Sequence, residues 1–200
     1  MNKKKYIVFL IGLVLLSCNS QDQNKIRSKK NVQLAEKILE QHRKYTEEDT
    51  TANSALLEAL AYVDQAIEFD STNVPAYQNK ITLLTILGNR KNDLIKPLVE
   101  LVKLKPNFAE GFFQLGLIYE SQKHHDSATF AFNQAKNRFL KRPASDTRNY
   151  NLVLLEFLIT KNENAALEKL KEIDVKDVEL KKKLLLDIDA WEKGNLDSLF

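Results

Sequence analysis

The chain has 200 residues, of which 44% are hydrophobic and 28% are charged, and it contains a single cysteine. One cysteine excludes a disulfide framework within the chain. The formal net charge is +3, but three lysines lie in the first 17 residues without an acidic residue, so the remainder is neutral and its net charge does not favour nucleic-acid binding.

The first residues have the layout of a secretory signal peptide. Three lysines at positions 3–5 precede an apolar run over 6–16, which ends shortly before Cys18. A run of this length is too short for a helix across a bilayer core of about 30 Å, because each helical residue adds about 1.5 Å. The sequence therefore predicts a cleaved segment and no permanent transmembrane helix.

The tetrapeptide Leu15-Leu16-Ser17-Cys18 resembles the bacterial lipobox, in which the cysteine is lipidated and becomes the first residue of the mature protein. The resemblance implies a lipoprotein signal peptide over 1–17 and a lipid anchor at Cys18. It also implies a location in the bacterial cell envelope, and we expect the periplasmic side of the outer membrane. The alternative is an ordinary cleaved signal with an incidental cysteine.

Residues 19–30 are polar except for Ile26. We predict a lipidated cysteine and flexible tether over 18–30, followed by a folded domain over 31–200. A coil of this length reaches roughly 20 Å. Its basic residues would either contact anionic head groups or form a solvated spacer; they are Lys25, Arg27, Lys29 and Lys30.

From residue 31 onward, the apolar residues have helical spacing. The first predicted helix covers Val32–Tyr45, and a long connection over 46–54 follows it. The sequence does not determine what this first helix pairs with. Pro97 is compatible with its helix only if that helix begins near Asp93, because proline is tolerated in a first turn.

Residues 109–136 contain the clearest repeat unit. Its first half matches the spacing W-x2-L-G-x2-Y at Phe112, Leu115, Gly116 and Tyr119. Its second half matches A-x3-F-x2-A at Ala128, Phe132 and Ala135. This unit resembles a tetratricopeptide (TPR) repeat, which implies a pair of antiparallel helices. Gly116 is expected at a close helix crossing, since glycine costs a helix about 1 kcal/mol relative to alanine.

The same apolar set recurs along the chain. The positions of Phe112, Gly116 and Tyr119 have apolar equivalents 35 residues upstream, at Tyr77, Ile81 and Leu84. They have further equivalents 38 residues downstream, at Tyr150, Leu154 and Phe157. The sequence thus predicts an all-α fold, a TPR-like α-solenoid of antiparallel helix pairs. A last helix over about 178–193 has no full partner and is expected to cap the stack.

The stretch His124-His125-Asp126 invites a metal-site hypothesis, which we reject. Adjacent side chains on a turn diverge, zinc needs three or four protein ligands, and the only other histidine is the distant His42. We instead predict Asp126 as the N-cap of a helix over Ser127–Phe139. Nucleophile motifs and phosphate-binding glycine loops are missing, so we expect no enzymatic activity and no cofactor.

TPR proteins usually bind partners through the concave surface formed by the first helix of each repeat. Transfer by register places there Phe113, Leu117, Glu120, Ser121, Asn151, Leu155, Leu158 and Ile159, with Thr82 and Thr85 as an extension. Phe113 and Leu117 lie off the predicted packing face, so either a partner peptide covers them or a flanking helix or the tether does. A carboxylate-binding clamp is not expected, because only Asn79 matches its residues.

The predicted function is that of a membrane-anchored envelope scaffold or adaptor that binds a protein or peptide through this concave face. The alternative is a binding protein for a small envelope ligand, such as a glycan or a cell-wall fragment. The sequence offers no metal site and no nucleic-acid site for either role, and it does not identify the partner.

Overall fold

The computed structural model describes residues 3–42, 50–88, 91–173 and 175–193. These residues form helices and short connections, without a strand among them. The predicted all-α class is confirmed. In chain order the helices are α1 Lys3–His42, α2 Thr50–Phe69, α3 Val74–Ile86, α4 Lys91–Leu104, α5 Ala109–Ser121, α6 His125–Phe139, α7 Asp146–Thr160, α8 Glu163–Glu172 and α9 Val178–Glu192.

The chain divides into two compact units, Met1–Pro97 and Leu98–Phe200. In the first unit, α1 packs along α2, and α3 contacts both helices. The core of this unit contains Val32, Ala35 and Leu39 from α1 and Ala59, Val63 and Ala66 from α2. Alanines at the contact allow the two helices to approach closely. Helix α1 is therefore the partner of α2, a pairing that the sequence left open.

Helix α1 also includes residues 20–30, which differs from the predicted flexible tether. Ser28 is fully buried, and its hydroxyl donates a hydrogen bond of 2.7 Å to the carbonyl oxygen of Ala66. The side-chain amide of Asn73 donates to the Ser28 hydroxyl at 2.7 Å. The Arg27 guanidinium lies 5.6 Å from the centroid of the Phe69 ring. These contacts attach the polar segment to α2 and to the start of α3.

Two other predictions concern the ends of helices. The predicted end of the first helix at Tyr45 and residues 46–49 of the predicted connection lie outside the described residues, whereas residues 50–54 of that connection belong to α2. Helix α4 begins at Lys91 and places Pro97 in its interior, contrary to the expected position in a first turn. Proline has no N–H to donate to the carbonyl four residues earlier, so this helix lacks one regular hydrogen bond.

In the second unit, α5 and α6 form an antiparallel pair. Arg142, just after α6, binds Glu110 in the first turn of α5 through two hydrogen bonds of 2.5 and 2.8 Å. The hydrogen bonds from Arg142 lower the pKa of Glu110. Contact between the end of α6 and the start of α5 shows that the two helices run in opposite directions. The helix pair implied by the TPR resemblance is present here.

Helices α5 and α6 approach closely at Gly116. A Cβ atom at this position would overlap the ring of Phe132, which is fully buried. The close crossing predicted at Gly116 is confirmed, and the group that requires the glycine is the Phe132 ring.

Helices α7, α8 and α9 complete the second unit. Helix α7 packs against α6, α8 and α9. A buried polar contact joins α7 to α9, because the Tyr150 hydroxyl donates a short hydrogen bond to Asp187. Lys183 lies 2.5 Å from the same carboxylate. Burial, followed by the hydrogen bond to Asp187, raises the pKa of Tyr150 to about 12.

Candidate functional site

The predicted concave site coincides with the core of the second unit. Leu117, Leu155 and Leu158 are buried in the same hydrophobic cluster. The structure does bring these residues together, but it leaves no open apolar surface at them. Leu117 lies in α5, which packs against α6, and the two other leucines lie in α7, which packs against α6, α8 and α9. This burial favours the flanking-helix alternative for Leu117. The prediction that these three leucines contact a partner is therefore contradicted by their burial.

The neighbouring predicted residues also have contacts within the protein. Phe113 and Ile159 are partly buried against the same cluster, and the rings of Phe113 and Phe132 lie 6.1 Å apart between centroids. The Asn151 amide donates to the Thr147 carbonyl at 2.8 Å, and the Ser121 hydroxyl donates to the Ile118 carbonyl at 2.8 Å. In the first unit, Thr82 and Thr85 donate in the same way to carbonyls of their own helix.

Glu120 is the most enclosed of the predicted polar residues. Its side chain is only 10% exposed and lies 3.0 Å from the Lys161 ammonium and 3.2 Å from His125 Nδ1. Lys161 ends α7 in a left-handed conformation with φ of 54°. Its ammonium lies 5.1 Å from the Trp191 ring centroid. Glu120 thus stabilises the end of α7 and is not available as a free recognition group.

An open apolar surface lies elsewhere in the second unit, where α4, α5 and α6 form a pocket of about 570 Å³. We call it the α4–α6 pocket. Helix α5 contributes Phe112, Leu115 and Tyr119, and α6 contributes Phe130 and Ala131. Its volume and its apolar and aromatic lining are typical of binding sites in proteins.

Helix α4 contributes Val99 and Val102 to the pocket. Its close approach to α5 depends on Gly111, since a Cβ atom there would lie 2.8 Å from Val102 Cγ1 and 2.7 Å from Phe108 Cδ1. On the α5 side, the guanidinium of Arg138 lies 3.9 Å from the centroid of the Phe112 ring. These contacts hold two walls of the pocket in place, the aliphatic wall at Val102 and the aromatic wall at Phe112.

Sequence reasoning assigned Phe112 and Tyr119 to repeat packing and did not find this pocket. Phe130 offered a signal, because it follows Ala128 by two residues and so points away from the Ala128–Phe132–Ala135 face. In the structure its side chain is 64% exposed. Because Phe130 also lines the pocket, its exposed ring extends the apolar surface that the pocket offers to a partner.

The histidine pair marks the start of α6. His124 is the N-cap residue and makes no side-chain capping hydrogen bond, while Asp126 lies in the first turn of the helix. The predicted N-cap role of Asp126 is therefore wrong, because α6 begins at His125, before Ser127. The Asp126 carboxylate still interacts favourably with the helix dipole. No group of three or more potential metal ligands occurs in the described part of the chain.

The predicted anchor residue, Cys18, lies within the backbone of α1, and its side chain is outside the described part of the structure. In the described part of the chain, no helix is both long enough and apolar enough to cross a membrane.

No protein-family model matches the sequence, and no curated protein matches it. Solved structures of MamA are similar to the chain. One of them is 19% identical, with a TM-score of 0.48, over 74% of this chain and 79% of that chain. MamA 41-end from Desulfovibrio magneticus RS-1 is 14% identical, with a TM-score of 0.47, over 78% of this chain and 96% of that chain.

YrrB, described as a TPR protein with an unusual peptide-binding site, is 21% identical, with a TM-score of 0.35, over 65% of this chain and 83% of that chain. With TM-scores below 0.5, these similarities support no argument about a site or a partner. The TPR-like character of the chain rests on its repeated residues and on its antiparallel helix pairs.

Proposed function

We propose that the protein is a membrane-anchored scaffold of the bacterial cell envelope that binds a protein or peptide partner. The observation that carries the binding role is the open α4–α6 pocket, with Phe130 exposed beside it. In protein interfaces, a few aromatic or aliphatic side chains that insert into pockets commonly account for most of the binding energy. This pocket therefore replaces the concave face as the proposed binding surface.

The proposed anchoring rests on the sequence of the first 18 residues. A basic start, a short apolar run and the lipobox-like Leu15–Cys18 segment together support lipidation at Cys18. Two or three acyl chains would anchor the protein firmly, since each buried methylene contributes about 0.8 kcal/mol. We place the protein on the periplasmic side of the outer membrane.

Metabolic labelling with radioactive palmitate tests the anchor. The native protein is expected to carry label and to remain with the membranes, whereas Cys18→Ala is expected to lose the label. Asn19→Ala is the matched control and should behave like the native protein. Full labelling of Cys18→Ala, or an unlabelled native protein, would contradict lipidation at Cys18.

Cross-linking in intact membranes tests the binding role. Native protein is compared with Phe130→Asp and with Leu186→Asp, because Leu186 in α9 is similarly exposed at 58%. All three proteins must have equal helicity. A partner captured by the native protein and by Leu186→Asp, but lost from Phe130→Asp, is the expected result. Equal capture by all three proteins would exclude the pocket as the binding surface.

A second candidate is the binding of a small envelope ligand. The volume of the pocket, about 570 Å³, favours this candidate because it falls within the range of small-molecule sites. Thermal unfolding with glycan and cell-wall fragments discriminates between the two roles, since a ligand that binds only the native state raises the melting temperature. Such a rise, lost in Phe130→Asp, would favour the small-ligand role.

A further inference from the structure

One acidic side chain that lines the α4–α6 pocket has no ion-pair partner within the described residues. Asp126, in the first turn of α6, lines the pocket together with Lys103 of α4. Lys103 is paired with Glu100 at 2.7 Å. Within the described residues, the Asp126 carboxylate forms neither an ion pair nor a hydrogen bond with another side chain. An apolar cavity thus adjoins a carboxylate that remains available to a cation from outside.

Phe130 limits the kind of occupant that fits. Its ring is 64% exposed, so the pocket walls do not shelter it from water. An occupant confined to the cavity would leave much of this ring exposed. A longer occupant that fills the cavity and also lies across Phe130 buries more apolar surface, and each Å² removed from water contributes about 25 cal/mol. An extended apolar face, such as one side of a helix, meets this requirement.

We propose that the α4–α6 pocket is the docking site of an amphipathic, basic helical peptide segment. This inference rests on the proposed protein-binding function and specifies the partner. The apolar face of the segment inserts a bulky side chain among Phe112, Leu115 and Phe130. A lysine or arginine one helical turn away pairs with Asp126, because side chains three or four residues apart on a helix are neighbours.

The test uses three fluorescein-labelled synthetic helical peptides and the full-length protein in detergent. The first peptide has leucines on one face and lysines one turn away from them. The second has glutamates in place of the lysines, and the third has serines in place of the leucines. Fluorescence anisotropy gives each dissociation constant at low and high salt.

We expect the leucine–lysine peptide to bind about fivefold more tightly than the leucine–glutamate peptide, since attraction replaced by repulsion at a surface carboxylate changes the free energy by about 1 kcal/mol. Asp126→Asn should remove this discrimination and leave helicity unchanged. Asp189→Asn, an exposed carboxylate of α9 paired with Lys193, is the control and should retain it. High salt should weaken the preference for lysine.

The apolar part of the proposal has its own control. Phe130→Ser should weaken the leucine–lysine peptide about tenfold, as truncation of a central aromatic anchor does, whereas Leu186→Ser should not. The serine peptide should bind weakly to every variant. Equal binding of the lysine and glutamate peptides to the native protein would overturn the proposal, and so would equal losses in Phe130→Ser and Leu186→Ser.

Failure of this proposal is distinguishable from failure of the proposed function. If the membrane cross-linking experiment captures a partner through Phe130 but the peptides show no preference for lysine, the scaffold role stands and the basic-helix partner is wrong. If wall fragments displace the peptides or bind in their place, the small-ligand role replaces both.

Discussion

At the scale of single residues, Gly116 determines how closely α5 and α6 can pack. The Phe132 ring occupies the space that a side chain at position 116 would need. Because Phe132 is fully buried, its ring has little freedom to move aside. The missing side chain at position 116 thus allows α5 to pack directly against the Phe132 ring of α6.

We expect Gly116→Ala to lower the free energy of unfolding by about 1–2 kcal/mol, because steric overlap outweighs the gain of about 1 kcal/mol in helix propensity. Urea unfolding followed by circular dichroism measures the change. In a Phe132→Leu background, Gly116→Ala should lower the free energy of unfolding by less than it does in the native protein. Unchanged or increased stability of Gly116→Ala would contradict this account of the crossing.

Tyr150 provides a prediction about alkaline pH. Burial and the hydrogen bond to Asp187 raise its pKa to about 12 from 10.0. A raised pKa in the folded state means that neutral Tyr150 stabilises the fold fully below about pH 10, and that this contribution is lost as the pH rises through about 12. The native protein should therefore lose more stability than Tyr150→Phe between these values. Parallel losses in urea unfolding would refute the assignment.

At the scale of elements, repeat spacing predicted the helices of the second unit well. Apolar residues at helical intervals predicted α5, α6 and α7, and the structure buries Phe132, Leu154 and Phe157 as expected. Apolar spacing did not predict that α1 extends over 20–30, because the buried residue in this segment is the polar Ser28. Ser28 continues the Val32–Ala35–Leu39 stripe at helical intervals, but its polarity made the segment resemble a tether.

The candidate site was harder to predict for a related reason. Register alone placed Leu117, Leu155 and Leu158 on a concave face, but it could not indicate that neighbouring helices would bury them. Burial depends on how far adjacent helices approach one another, and this distance depends on contacts between residues remote in sequence. The α4–α6 pocket was not predicted because three helices contribute to its lining. Several of the lining residues also occupy positions that the repeat spacing assigns to packing between helices, so nothing in their sequence pattern distinguishes them.

Ser28→Ala tests the attachment of the first part of α1. The substitution removes the hydrogen bonds of Ser28 with Ala66 and Asn73, and a lost buried hydrogen bond costs about 1–3 kcal/mol. Hydrogen exchange should accelerate at the backbone amides of residues 22–30. Lys29→Ala, at an exposed neighbouring position, is the control. Exchange that is equally slow in both variants would show that Ser28 does not hold this segment.

At the scale of the whole molecule, the described helices belong to two compact units, and antiparallel pairing is clearest for α5 and α6 in the second unit. The first unit includes the part of α1 from Ser28 to Leu39, because Val32, Ala35 and Leu39 share one core with α2 and Ser28 is bonded to Ala66. The boundary expected at residue 31 thus lies inside a packed helix. This matters for any shortened version of the protein.

A protein that begins at residue 31 should be less stable than one that begins at residue 19. The shorter version loses the Ser28 contacts and the Arg27–Phe69 contact, which belong to the same packed helix as Val32. We expect a lower melting temperature in differential scanning calorimetry and a greater tendency to aggregate. Equal melting temperatures would show that residues 19–30 contribute nothing to the stability of the first unit.

The pairing of α1 with α2 also has a consequence for the time course of synthesis. The chain is made from its N-terminus, so α1 is complete at residue 42, whereas the α2 partner of its apolar stripe ends at residue 69. At about 5–20 residues per second, roughly one to five seconds separate the two events. During this interval Val32, Ala35 and Leu39 have no α2 to pack against, so the core of the first unit cannot form until synthesis has passed α2.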